Sequence, residues 1–295
     1  MFGNRYQRLG SGTLEMYQLC ERIGQGSYGT VHRAINRNTG RIVAIKQPIS
    51  TRGDTFTRFS NEIDFYSRTG NSPFVVRMLD FSLSPSGAFV AIEFCNKGTV
   101  RDRLWELQIN RIRTVALLWQ TASALSELHH WDILHRDIKP DNLLLTVDGG
   151  NNWILKIGDP GLVCFPAKSV FDFGATRTAK GTEFYIAPEL YQPFAIYNAS
   201  CDIFSLGVTA HEMLTGRRAI GGSRITGQGE NLDKLLTRMV SLNPSVRPSA
   251  SEVRNELTSV YNAELVTANN WKGLGLLVGI VLTGIGVGHL LDKPK

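Results

Sequence analysis

A chain of 295 residues with 42% hydrophobic and 20% charged side chains can bury a large core, in one large domain or two lobes, and is neither disordered nor fibrous. Its formal net charge of +6 is modestly basic. No dense Lys/Arg block with interleaved aromatics is present, so no nucleic acid is expected as a partner.

Residues 1–16 are polar and read as a loose leader, with no apolar stretch behind the first charges to make a secretory signal. The four cysteines, Cys20, Cys95, Cys164 and Cys201, lack metal-ligand or paired spacing. They read as reduced thiols of a cytosol-facing domain. From Tyr17 the pattern turns to short β-like runs. Ile23-Gly24-Gln25-Gly26-Ser27-Tyr28-Gly29-Thr30-Val31 follows the first. Glycines let a backbone approach phosphates with no Cβ in the way. A GxGxxG alone also serves dinucleotide-binding folds, which put a helix straight after it. Here the run Val31–Ile35, the turn Asn38-Thr39-Gly40 and the alternating run Arg41–Lys46 follow, which predicts a hairpin instead. Phe59, Ile63 and Tyr66 have helical spacing within 55–69. Phe74–Phe81 and Ala88–Phe94 read as two further strands around Ser84-Pro85-Ser86-Gly87. The chain up to residue 95 is therefore expected to form a small β-rich lobe with one helix.

After Gly98 the pattern is mainly helical, over 113–131, 200–214 and 232–242. The domain signal fades near Tyr261. Gly273 to Leu291 then holds no Asp, Glu, Lys or Arg. A helix over that run spans about 28 Å, close to the bilayer hydrocarbon core of about 30 Å. It predicts a membrane anchor, with Trp271 at the interface. A C-terminal helix docked on the soluble domain is the competing reading. The pairs Gly275/Gly279 and Gly284/Gly288 would present a flat face for self-association, although glycines are also simply frequent in membrane helices.

The most informative segment is His135-Arg136-Asp137-Ile138-Lys139-Pro140-Asp141-Asn142. It sets a carboxylate, a lysine and a carboxamide at fixed offsets in one loop, the groups that phosphoryl transfer needs beside a metal-bound nucleotide. With Val43-Ala44-Ile45-Lys46 and Gly181-Thr182-Glu183-Phe184-Tyr185-Ile186-Ala187-Pro188-Glu189, it resembles the eukaryotic-type serine/threonine protein kinases over residues 17 to about 260.

That resemblance implies an α+β, two-lobed protein kinase fold with a small β-rich N-lobe and a larger helical C-lobe, plus the C-terminal transmembrane helix. The expected division is a leader 1–16, a kinase domain 17–262 (lobes 17–95 and 96–262), a linker 263–272, the anchor 273–291 and a tail 292–295. The cofactors implied are ATP and Mg2+. The resemblance makes Lys46 the holder of the α- and β-phosphates, with Glu62 fixing it. Asp137 becomes the base, Lys139 stabilises the transferred group, and Asn142 and a second acid hold magnesium. Ile23, Gly24, Gly26 and Gly29 would cover the phosphates. Val31, Ala44 and Leu144 would sandwich the adenine, Ile92 would border it, and the backbone of Glu93 and Cys95 would bond its edge.

The second magnesium ligand is ambiguous, because the family's Asp-Phe-Gly pattern occurs literally at Asp172-Phe173-Gly174 and in part at Asp159-Pro160-Gly161. Asp159 is favoured: a good strand leads into it, and it lies 17 positions after Asn142 where Asp172 lies 30. Pro160 then departs from the pattern and supports a competing reading as a weakly active or inactive pseudokinase, a membrane-held scaffold. Asp202 is expected to brace the catalytic loop, and Glu189 and Arg247 to pair. Arg136 points to regulation by phosphate on Ser169, Thr176 or Thr178, and Thr182 to a bond towards Asp137 and Lys139. The stretch after Gly216 is short for the family's substrate-docking helix. The expected partner is a protein with a Ser/Thr acceptor, reached by a single-pass membrane protein whose kinase domain faces the cytoplasm.

Overall fold

The computed structural model describes residues 12–26, 29–84, 87–160, 182–192 and 195–271. The first lobe is a five-stranded antiparallel sheet of β1 (Tyr17–Gln25), β2 (Gly29–Asn36), β3 (Ile42–Pro48), β4 (Met78–Ser82) and β5 (Phe89–Glu93), in the order β1-β2-β3-β5-β4. The alternation that marks these strands in the sequence separates two apolar faces. Val43, Ile45, Phe89 and Ala91 pack with Tyr17 on one side. Ala44, Val90 and Ile92 face the main core on the other.

Helix α1 (Gly53–Thr69) lays Phe59, Ile63 and Tyr66 against that second face. This is the i, i+4, i+7 stripe of a core-facing helix. Glu62 sits on the same stripe and is 2% exposed. A carboxylate so placed requires a partner.

The second lobe is built on α3 (Arg111–His130), buried on most of its surface, and α4 (Ala199–Thr215). A short α2 (Leu104–Gln108) precedes α3, and α5 (Glu230–Met239) and α6 (Ala250–Trp271) close the lobe. Between them the hairpin of β6 (Leu143–Val147) and β7 (Trp153–Ile157) lies under the cleft. Buried Gln120 of α3 fastens this hairpin, accepting from Leu155 N–H at 2.7 Å and donating to Trp153 O at 3.3 Å. Arg247 holds Glu189 through two bonds of 2.6 and 2.8 Å, so the end of the 182–189 segment is fixed to the lobe.

One boundary differs from the sequence expectation, and one expectation is met. Residues 263–271, expected as a linker, continue α6 without a break. No Gly or Pro interrupts the helix before Gly273, and Arg111 Nε donates to Glu264 at 2.7 Å, tying that turn to α3. Secondly, α4 ends at Gly216, whose φ of 74° needs a residue free of the Cβ penalty. No helix forms again until Glu230, so the segment expected to be short carries no docking helix. The anchor run 273–291 lies outside the described residues. Among the described residues no helix is long and apolar enough to cross a membrane.

Candidate active site

A cleft of about 960 Å3 separates the lobes, lined from above by β1–β3 and α1 and from below by the 137–144 loop and β6. Its roof is the β1–β2 hairpin. Gly26 N–H donates to Gly29 O at 2.9 Å at the hairpin's end. A Cβ on Gly29 would stand 2.6 Å from Gln47 O, so β2 can approach β3 there only as glycine. A Cβ on Gly26 would meet nothing within 4 Å, so the strand packing does not require that glycine.

Lys46, on β3, points into the cleft and bonds both Glu62 Oε1 and Asp159 Oδ1 at 2.8 Å. Burial works against its ammonium, but the carboxylates of Asp159 and Glu62 outweigh this and hold the pKa above the ordinary lysine value. Burial pushes the Glu62 carboxyl up, with Lys46 opposing. Asp159 is held below the usual carboxylate range, first by Lys46, while its own burial opposes and Lys139 assists. Its side chain remains 55% exposed towards the cleft opening.

On the lower side, Lys139 Nζ donates to both carboxylate oxygens of Asp137, at 2.9 and 2.8 Å. Asn142 Nδ2 donates to Asp137 O at 2.8 Å and Oδ2 at 2.7 Å, which leaves its carbonyl oxygen free of these bonds. The loop holding these groups hangs from one buried carboxylate. Asp202 of α4 accepts from His135 N–H at 3.0 Å, Arg136 N–H at 2.8 Å and the Tyr197 hydroxyl at 2.8 Å, and meets His129 Nε2 at 2.9 Å. Burial raises the Asp202 pKa, but these donors, His129 foremost, bring it below the ordinary value. They also carry Arg136 at φ 70° and bring Asp137 into the cleft. Burial lowers the His135 pKa. Neutral His135 can then donate Nε2–H to Gly158 O at 3.1 Å while Nδ1 accepts from Asp137 N–H at 3.4 Å.

Asp159 therefore follows a residue clamped by the catalytic loop. Its φ of 48° is uncommon for a non-glycine residue. It also precedes buried Pro160, and residues before proline prefer extended backbone.

The remaining cleft residues are apolar walls and a main-chain edge. Ile23, Val31, Ala44 and Ile92 lie on the upper side and Leu144 on the lower. Glu93 and Cys95 form the joining segment, and the Glu93 side chain is drawn off by Lys156 at 2.9 Å and Arg77 N–H at 2.8 Å. Burial pushes the Cys95 thiol up to about 12, so it stays uncharged. Asp172, Ser169, Thr176, Thr178, Gly161 and Gly181 lie outside the described residues, as does the Thr182 side chain.

The structure thus brings together every expected site residue from Ile23 to Asp159 on one cleft. The magnesium donors also fit: Asp159 and Asn142 offer hard oxygen ligands, and Mg2+ takes one or two such ligands from a protein and the rest from phosphates and water. Sequence reasoning missed the cluster of Arg101, Tyr185 and Glu212. Its only sequence signal was an acid set among apolar positions of a helix.

The protein kinase domain family matches residues 17–258. The chain belongs to this family. A relative, the serine/threonine-protein kinase cst-1 of Caenorhabditis elegans, is 34% identical over 207 residues, covering 69% of this chain and 39% of that protein. The chain spans about two fifths of the length of that curated relative. The similarity supports the serine/threonine class of kinase.

Proposed function

We propose that this kinase domain transfers the γ-phosphoryl group of ATP to serine or threonine hydroxyls of protein substrates. The observation that carries the reading is the convergence of two charge clusters on one cleft: Lys46 with Glu62 and Asp159 above, Asp137 with Lys139 and Asn142 below. In phosphoryl transfer a protein supplies positioning and electrostatic stabilisation more than covalent chemistry.

Val31, Ala44, Ile92 and Leu144 form an apolar slot for the adenine, and the main chain of Glu93 and Cys95 supplies its polar edge. Glu62 fixes the Lys46 ammonium, which binds the α- and β-phosphates. Ile23, Gly24, Gly26 and Gly29 cover the phosphates. Asn142 and Asp159 hold Mg2+, which when bound neutralises charge on the phosphate oxygens. Asp137 orients the acceptor hydroxyl and takes its proton. Lys139 keeps that carboxylate aimed and adds positive charge beside the transferred group.

We also propose that residues 273–291 tether the protein to a membrane with the kinase domain facing the cytoplasm. The support is the uncharged run itself. Fractionation of the full chain should place it with membranes, resistant to high-salt wash. Recovery in the soluble fraction would contradict the tether.

A scaffold without turnover is the second reading, favoured by one observation: Asp159 holds φ 48° directly before Pro160. Incubation with Mg2+-ATP and protein substrates, followed by phosphoamino-acid analysis, separates the readings. Phosphoserine and phosphothreonine are expected. Phosphotyrosine, or no product while ATP binds, goes against the proposal.

A further inference from the structure

Beside the catalytic loop, the surface that meets a substrate is already neutralised by the chain's own arginines. Glu212, on the inward side of α4, has a side chain only 6% exposed. It takes Arg101 Nη1 at 2.6 Å and the Tyr185 hydroxyl at 2.5 Å, and Arg218 Nε lies 3.5 Å away. Arg101 reaches on to Asp141 at 3.1 Å, in the same loop as Asp137. A basic substrate side chain would thus meet Asp141 and Glu212 already paired.

Arg218 differs from Arg101. Arg101 spends Nε, Nη1 and Nη2 on Asp141, Glu212 and Tyr185. Arg218 uses only Nε, towards the Tyr185 hydroxyl at 3.1 Å and the Glu212 carboxylate. Among the described residues its two terminal nitrogens have no hydrogen-bond partner. Its guanidinium carbon lies over the rings of Phe184, 4.6 Å from the centroid, and Tyr185, 5.4 Å from the centroid. The side chain is 36% exposed, and exposed Arg217 stands next to it. Because α4 stops at Gly216 and no helix follows before Glu230, both arginines sit on an irregular segment rather than behind a docking helix. A part-exposed guanidinium held at Nε, with its two terminal nitrogens unbonded among the described residues, is a fork for two oxygens of one anion. Tyr185 and Arg101 connect it to Asp141, so it lies on the same side as the base.

We propose that Arg218 selects substrates that carry an anionic side chain, carboxylate or phosphate, near the acceptor serine or threonine. The inference rests on the phosphotransfer reading above and adds the substrate class to it.

The test is a positional scan with the full chain and peptides holding one acceptor serine. Each flanking position in turn carries Glu, phosphothreonine, Ala or Lys, and kcat/KM is read for each peptide. One position should favour an anion over Lys by about tenfold, the worth of a charge-assisted hydrogen bond. Whether Glu or phosphothreonine leads there identifies the anion. Arg218→Glu should reverse the Glu/Lys order at that position. The ratio between two peptides does not depend on how much of the variant is folded, so a folding defect cannot mimic the reversal. A flat scan, or an anion preference that survives in Arg218→Glu, overturns the proposal and leaves phosphotransfer standing. No transfer to any peptide, with no ATP hydrolysis, overturns both.

Discussion

Asp159→Asn should lower phosphoryl transfer by about three orders of magnitude, while Asp172→Asn leaves it within about twofold of the parent. The carboxamide keeps the shape and removes the charge. That charge has two roles in the site. It meets Lys46 at 2.8 Å, and it opens towards the cleft where the metal-bound phosphates are expected. Lys46 holds the carboxyl below its ordinary range, so Asp159 is an anion at neutral pH and under mild acidification. Loss of activity on mild acidification therefore does not come from this group. The comparison with Asp172 matters because Asp172 belongs to the literal Asp-Phe-Gly triplet of the sequence. Steady-state transfer by the two variants decides between them. Loss only in Asp172→Asn would mean that the metal ligand has been misplaced.

Asp137→Asn is expected to cost a hundredfold or more in kcat, roughly the contribution of a general base, with nucleotide affinity little changed. Its carboxylate takes donors from Lys139 and Asn142, so it is held in one orientation before any substrate arrives. None of those contacts comes from the upper lobe, where Lys46 and most of the apolar slot proposed for the nucleotide lie. The effect should therefore appear in kcat and not in nucleotide binding. Equal loss in both would mean that the substitution had disturbed the loop, and Asp202 with its donors would be the first place to look.

The loop motif made much of this site legible in the sequence, because its residues are close neighbours in the chain. Lys46 and Glu62 were also legible: the lysine ends a strongly alternating strand, and the glutamate falls on the apolar stripe of α1, where a buried carboxylate needs a cation. The position of Asp159 followed from the strand before it. What stayed hidden was held by contacts between distant segments. Arg101, Tyr185, Glu212 and Arg218 come from four separate stretches, and no local spacing announces that they meet. Helix α6 runs past the domain end expected at 262 because nothing in 263–271 breaks a helix, although composition there is too polar to mark it as core. The short segment after Gly216 was visible as a length. That it would leave Arg218 open was not.

Pro160 links the two readings of the protein. It is buried behind a residue at φ 48°, a conformation that the Lys46 contact supports and the proline does not. Pro160→Phe is the reversion to make if turnover is low.

The central claim is that the cleft performs transfer and does not merely hold nucleotide. It is tested most directly by following labelled γ-phosphate from Mg2+-ATP into a mixture of acidic and basic generic proteins, with the full chain beside its Asp137→Asn variant and nucleotide binding measured in both. The account predicts label on protein serine and threonine with the parent chain, little or none with the variant, and binding in both. Nucleotide binding by both with no label from either would contradict it and make the fold a scaffold.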